Sequence, residues 1–122
     1  NAAVTALTID STQAATFAGT LAVTGATTLT GDVNLSKTIT AAATTGAQTI
    51  NKNSGAVNFA ASATSLVVTN SLCTVNSVVT VSIGTNDATA SNVKVVPAAG
   101  SFTIYLGVAP TAETRVYFHL TN

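Results

Sequence analysis

Residues 17–40 read FAGTLAVTGATTLTGDVNLSKTIT. The odd positions hold Phe17, Gly19, Leu21, Val23, Gly25, Thr27, Leu29, Gly31, Val33, Leu35, Lys37 and Ile39, and the even positions hold only Ala, Thr, Asp, Asn and Ser. Strict alternation is the strand period, because successive side chains of an extended chain face opposite sides. A second period is superimposed: a triplet headed by glycine returns every six residues, at Gly19, Gly25 and Gly31. A six-residue repeat within a strand-period segment belongs to a β-solenoid or an intertwined β-shaft rather than to an ordinary sheet.

Upstream, residues 1–16 (NAAVTALTIDSTQAAT) carry apolar contacts at Val4, Leu7 and Ile9 and follow the repeat only weakly. Downstream, the register is lost through AAATTGAQTINKNSG, and the triplet returns once at Gly55, Val57 and Phe59. The shaft and its transition are therefore expected over residues 1–62. From residue 63 to 122 the pattern changes to apolar, β-branched runs parted by turn residues, the signature of antiparallel strands. Strands are expected at 65–70 and 72–84 (two strands or one bulged strand between them), and at 92–96, 101–106 and 114–121. Phe102, Ile104 and Leu106 share one face, and so do Val116, Phe118 and Leu120. The fold class read from the chain is all-β: a repetitive β-shaft of hexads, an intertwined trimeric β-helix or prism, followed by a small antiparallel β-sandwich or jelly-roll-like head.

Composition agrees. Thr, Val and Ile favour strands, whereas the helix formers Leu, Glu, Lys, Arg and Gln are scarce. The chain has four basic and four acidic residues in 122, and residues 53–86 contain no charge. Such a balance gives no electrostatic reason to expect nucleic acid or an anionic membrane surface. Ser, Thr and Asn interrupt the apolar runs every two or three residues, which excludes a membrane-inserted helix. Long uncharged strands pair indiscriminately unless something covers them. Burial against other copies of the same chain answers that problem. The hexads point the same way: a single-chain β-helix needs about three hexads per coil, so four hexads barely close one coil, whereas three chains close the triangle together. A homotrimer follows. Cys73 is the only cysteine, which excludes an intrachain disulfide and reads as a buried small hydrophobe. The first residue is Asn1 rather than Met, which reads as a fragment or a processed chain whose anchor lies upstream.

Residues 19–35, GTLAVTGATTLTGDVNL, are similar to the shaft repeats of tailed-bacteriophage fibre and spike proteins. The ending TNDATASNVKVVPAAGSFTIYLGVAPTAETRVYFHLTN resembles the C-terminal head modules of phage fibre and appendage proteins, with TNDAT, AAGSFTIYL and PTAETRV carrying the likeness. The resemblance implies a trimeric virion appendage with a β-structured shaft and a terminal knob, attached to other virion proteins upstream. It implies no particular receptor; a host cell-surface glycan or protein is the expected class.

Some phage spikes degrade host polysaccharide, so glycan cleavage is the enzymatic activity to weigh. Glycosidases need two carboxyl groups flanking the scissile bond. The acids here are Asp10, Asp32, Asp87 and Glu113. Asp32 falls on the outward face of the shaft, Asp87 in a turn where it serves local hydrogen bonding, and Glu113 beside Arg115, with which it is expected to pair directly or across a subunit. No enzyme, metal or cofactor is expected. Cys73 has no nearby base, and the glycines at 19, 25 and 31 lack the following helix of a phosphate loop. His119 has no partner at metal-ligand spacing in its own chain. The candidate receptor-binding residues are Tyr105, Arg115, Tyr117 and His119, a polar-aromatic patch able to stack on a sugar or a protein. The plainer reading of the same residues is a solvent-facing strand or an intersubunit contact. The function expected is that of a virion structural protein, the distal part of a trimeric fibre that adheres to the host. The alternatives are a purely structural or decorating fibre (a head fibre or a joint), a bacterial surface adhesin and a polysaccharide-degrading spike.

Overall fold

A computed structural model describes residues 15–122. The contacts expected at Val4, Leu7 and Ile9, and the acid Asp10, lie outside the described residues. The chain divides into two compact units, Asn1–Val33 and Asn34–Asn122.

In the first unit, residues 15–33 form no regular strand and every side chain is exposed. Phe17, Leu21, Val23, Leu29 and Val33 are each more than half exposed. The hexad period is nevertheless present in the backbone, which bends at Ala18 and Gly19, again at Thr24 and Gly25, and again at Gly31. A Cβ added at Gly19, Gly25 or Gly31 would meet nothing within 4 Å. The described residues of this unit thus carry bends at six-residue spacing, and the repetitive β-shaft expected over them is not formed. An extended chain needs a neighbour for its N–H and C=O groups, and among the described residues 15–33 take part in no strand pairing.

The second unit holds eight strands: β1 (Lys37–Ile39), β2 (Gln48–Thr49), β3 (Ser54–Phe59), β4 (Ser65–Thr69), β5 (Val78–Ile83), β6 (Lys94–Ala98), β7 (Ser101–Tyr105) and β8 (Thr114–Thr121). They form two four-stranded sheets, ordered β1-β3-β8-β5 and β2-β4-β7-β6. The sheets face one another across a core of Val57, Phe59, Val116, Phe118 and Leu120 from the first and Leu66, Val68, Phe102 and Ile104 from the second. Phe102 and Phe118 meet edge to face across that core, with ring centroids 4.9 Å apart. The sandwich therefore starts well before residue 63. Strands β1 to β3, read from sequence as shaft and transition, are part of it.

The sheets are mixed rather than purely antiparallel. The pairs β1 with β3 and β2 with β4 are parallel. The chain alternates between layers, β1 in one sheet, β2 in the other, then β3 and β4 in the same order, so two successive arcs stack upon each other in solenoid fashion. Parallel strands need a crossover between them, and here the strand in the opposite sheet supplies it. The remaining pairs, β3 with β8, β4 with β7, β5 with β8 and β6 with β7, are antiparallel, and of these only β6 and β7 are joined by a hairpin turn. The runs 65–70 and 72–84 hold two separate strands, β4 and β5, in different sheets, with turns at residues 71–72 and 75–76 between them. The Asn70 carboxamide accepts the Leu72 N–H at 2.9 Å and donates to the Lys52 carbonyl at 2.8 Å, and the Ser77 hydroxyl accepts the Thr74 N–H at 2.8 Å. Strand β6 runs through Pro97 to Ala98, and the turn falls at Gly100, whose φ of 75° suits glycine.

Candidate functional site

Strand β8 presents Arg115, Tyr117 and His119 on the outer face of its sheet, because Val116, Phe118 and Leu120 take the inner positions. The register aligns outer-face rows across the four strands. Lys37, Ser54, His119 and Thr80 form one row, and Ile39, Ala56, Tyr117 and Ser82 form the next. Tyr105 is not part of this face. It lies on β7 in the other sheet, in a row with Ser65 and Lys94. The Lys94 ammonium sits 5.0 Å from the Tyr105 ring centroid, within cation–π range. The four candidate residues thus divide three to one between opposite faces of the sandwich.

Their surroundings differ in kind. The Arg115 guanidinium donates from Nε to Asn58 Oδ1 at 3.2 Å and from Nη2 to the Thr40 carbonyl at 3.2 Å. Asn58 is 1% exposed, and its Nδ2 donates to the carbonyls of Ala41 at 2.8 Å and Thr44 at 3.2 Å. Within its own chain Glu113 turns to the backbone rather than to Arg115. Its two carboxylate oxygens accept the Ala43 N–H at 3.1 and 2.9 Å, bracing a non-glycine residue with φ of 64°. Arg115, Asn58 and Glu113 together fasten residues 40–46 over the outer side of β3, which explains why β3 is buried on both faces. Arg115 is thus committed to the fold.

Tyr117 has no such tie. A Cβ placed on Gly84 would come within 2.1 Å of its ring, so the ring lies directly on the Gly84 backbone. It remains 43% exposed. His119 is exposed beside Ser54 and Thr80.

Asp87 is the strongest polar organiser of the head. Its Oδ1 accepts the N–H and hydroxyl of Thr89 and the N–H of Ala90, and its Oδ2 accepts the N–H and hydroxyl of Thr111 and the N–H of Ala112. These bonds, with the Thr89 hydroxyl foremost, hold the carboxyl well below the usual carboxylate range, against a smaller opposing effect of burial. The result is a clasp between the loop after β5 and the loop before β8. The sequence reading of Asp87 as a turn residue located the near half of this clasp. Nothing in local spacing could announce Thr111, which lies 24 positions away. Asn58 was missed as well, although a lone Asn inside the otherwise apolar GAVNF run of a buried strand is a detectable signal.

The described carboxylates of the head, Asp87 and Glu113, are therefore both engaged by backbone N–H groups, at separate places. Cys73 is buried, and its thiol contacts the Thr74 carbonyl at 3.6 Å. Among the described residues, no group of three or more His, Cys, Asp or Glu is placed to hold a metal ion. Comparison with known protein families, with characterised proteins and with solved structures finds no match to the chain.

Proposed function

We propose that the chain is the distal part of a trimeric fibre or spike of a tailed-phage virion, an external appendage whose β-sandwich head adheres to the host surface. The observation that carries this reading is the apolar stripe of residues 17–39. Phe17, Leu21, Val23, Leu29, Val33, Leu35 and Ile39 are all exposed in the single chain, on alternate positions and with a glycine-marked bend every six residues. A regular stripe of that length is not stable in water uncovered, and identical copies carrying the same period are the cover it fits. The head is compact and charge-poor, which suits a module carried at the end of such an assembly. Its two described carboxylates serve as acceptors for backbone groups, which favours adhesion over glycan cleavage. Host contact falls to the sandwich surface not consumed by the fold, and the Tyr105 ring with Lys94 beside it is the polar-aromatic pair of that kind.

The mechanism is adhesive: weak contacts repeated three times at high effective concentration give an avidity that one copy lacks. The test is binding of the purified protein to a panel of bacterial strains, with inhibition of phage infection as a second readout. The assembled protein should bind and compete on a susceptible strain, and a version monomerised by Leu21→Asp with Leu29→Asp should lose nearly all binding. Equal binding by the monomer would remove the avidity mechanism. Assembly without binding to any susceptible host would favour the decorating-fibre reading.

A further inference from the structure

The neutrality of the chain is unevenly distributed. All four bases, Lys37, Lys52, Lys94 and Arg115, fall in residues 34–122, against two acids there, Asp87 and Glu113. Both acids are taken up by backbone N–H groups. The head therefore carries a surplus of positive charge. Of the residues that β4, β7 and β6 turn outward, Lys94 alone is charged, and it stands in a row with Tyr105 and Ser65. Strand β1 runs parallel to β3, so the chain enters the sandwich at the end where Lys37 meets Ser54. Strand β3 leaves at the opposite end with Phe59, and β4 begins there with Ser65. The row thus lies at the end of the sandwich away from the entering chain.

The same face continues past this row to Asn92 and Gly107. A Cβ on Gly107 would fall 2.8 Å from that of Asn92, so glycine at 107 is what lets Asn92 sit there. Asn92 is exposed, holds φ of 53°, and its carbonyl accepts the Gly107 N–H at 3.2 Å. Lys94 follows one of the two loops that the Asp87 clasp ties together, and Tyr105 precedes the other, so the arrangement is set before a ligand arrives.

We propose that Tyr105, Lys94 and Asn92 form a binding site for the carboxylate-bearing sugar units of an acidic polysaccharide. The inference rests on the reading that the head adheres to the host, and it names the ligand class of that contact. Tyr105 offers an aromatic ring to the C–H side of a sugar. The Lys94 ammonium, held 5.0 Å from the centroid of that ring, supplies the opposite charge for a carboxylate. The Asn92 carboxamide supplies a donor and an acceptor for neighbouring hydroxyls. A neutral sugar leaves the ammonium unmatched and a bare anion leaves the ring unused, whereas a sugar acid engages both. The site lies within one chain, so each copy in an assembly carries it whole, and weak single contacts add through avidity.

The experiment is biolayer interferometry of the full chain with polygalacturonate, hyaluronate and polysialic acid, and with methyl-esterified polygalacturonate as the neutral counterpart. At least one carboxylated polymer should bind, less strongly as salt rises, and the ester should not. Lys94→Gln and Tyr105→Ala should each weaken binding about tenfold, with the circular dichroism unchanged. Lys94→Arg and Tyr105→Phe should stay close to wild type, as should Lys37→Gln on the other sheet. Binding of none of the carboxylated polymers, or equal binding of the ester, overturns the proposal. Loss in Lys37→Gln as large as in Lys94→Gln also overturns it, because attraction would then be diffuse. Attachment to bacterial cells without binding of any of these polymers overturns the sugar-acid assignment and leaves adhesion standing. Polymer binding through Lys94 and Tyr105 without attachment to any strain upholds the site and removes the host-adhesion reading.

Discussion

Replacing Asn58 by alanine removes the centre of the bracket that holds residues 40–46 onto β3. Its Nδ2 makes two bonds to backbone carbonyls and its Oδ1 accepts one from Arg115. Each neutral bond contributes about 0.5–1.5 kcal/mol net, and stranding a buried partner raises the cost. Arg115 is half-buried, so its charge-assisted bond is counted at only about 1 kcal/mol after solvent screening. Together these give a loss of about 2–4 kcal/mol. In a unit of this size 1 kcal/mol corresponds to about 4–8 °C, so the melting temperature should fall by roughly 10–25 °C. The assay is urea and thermal unfolding followed by far-ultraviolet circular dichroism at fixed protein concentration, since assembly shifts apparent stability. Arg115→Ala and the double substitution complete a cycle whose coupling energy should be about 1 kcal/mol. If Asn58→Ala stays within about 0.5 kcal/mol of wild type, or the coupling vanishes, the bracket does not hold the loop. Arg115 would then be released as a surface residue open to partners.

Phe118→Ala removes one ring of the Phe102 pair at the centre of the sandwich and should cost about 3–5 kcal/mol, checked by the same unfolding curves. Gly84→Ala forces the Tyr117 ring to swing outward. Because that ring is partly exposed the cost should be only about 1 kcal/mol, accompanied by shifted Tyr117 ring resonances in NMR spectra. The folded state holds Asp87 below its unfolded value of about 4, so its contribution is complete above that pH and fades as pH falls towards the depressed folded value. Wild type should therefore lose stability steadily from pH 4 down to pH 2, whereas Asp87→Asn should be less stable at pH 7 and flatter over the acid range, both read from melting temperature against pH.

Much of the head was legible because its strands are amphipathic and antiparallel. Strand β8 spans the predicted 114–121, and Phe102, Ile104, Val116, Phe118 and Leu120 are buried as their alternation requires. Alternation does not say which sheet a strand joins. It therefore grouped Tyr105 with Tyr117, although β7 and β8 lie in opposite layers. The shaft boundary was misread for a related reason. The alternation of residues 17–39 runs unbroken into β1 and returns in β3, so nothing in the period marks where covering by other copies would give way to covering by the chain's own second sheet. The loop between them was opaque because its order comes from Glu113 and Arg115, some 70 residues later. Long-range polar pairings of that kind leave no local trace.

The central claim is that the exposed stripe of residues 17–39 is covered by identical copies. Native mass by light scattering coupled to size-exclusion chromatography tests it most directly. The wild-type protein should run at three times the 12.1 kDa chain, and the Leu21→Asp, Leu29→Asp version as a single chain. A wild-type protein that runs as one chain at every concentration, with the stripe left open to water, would contradict it.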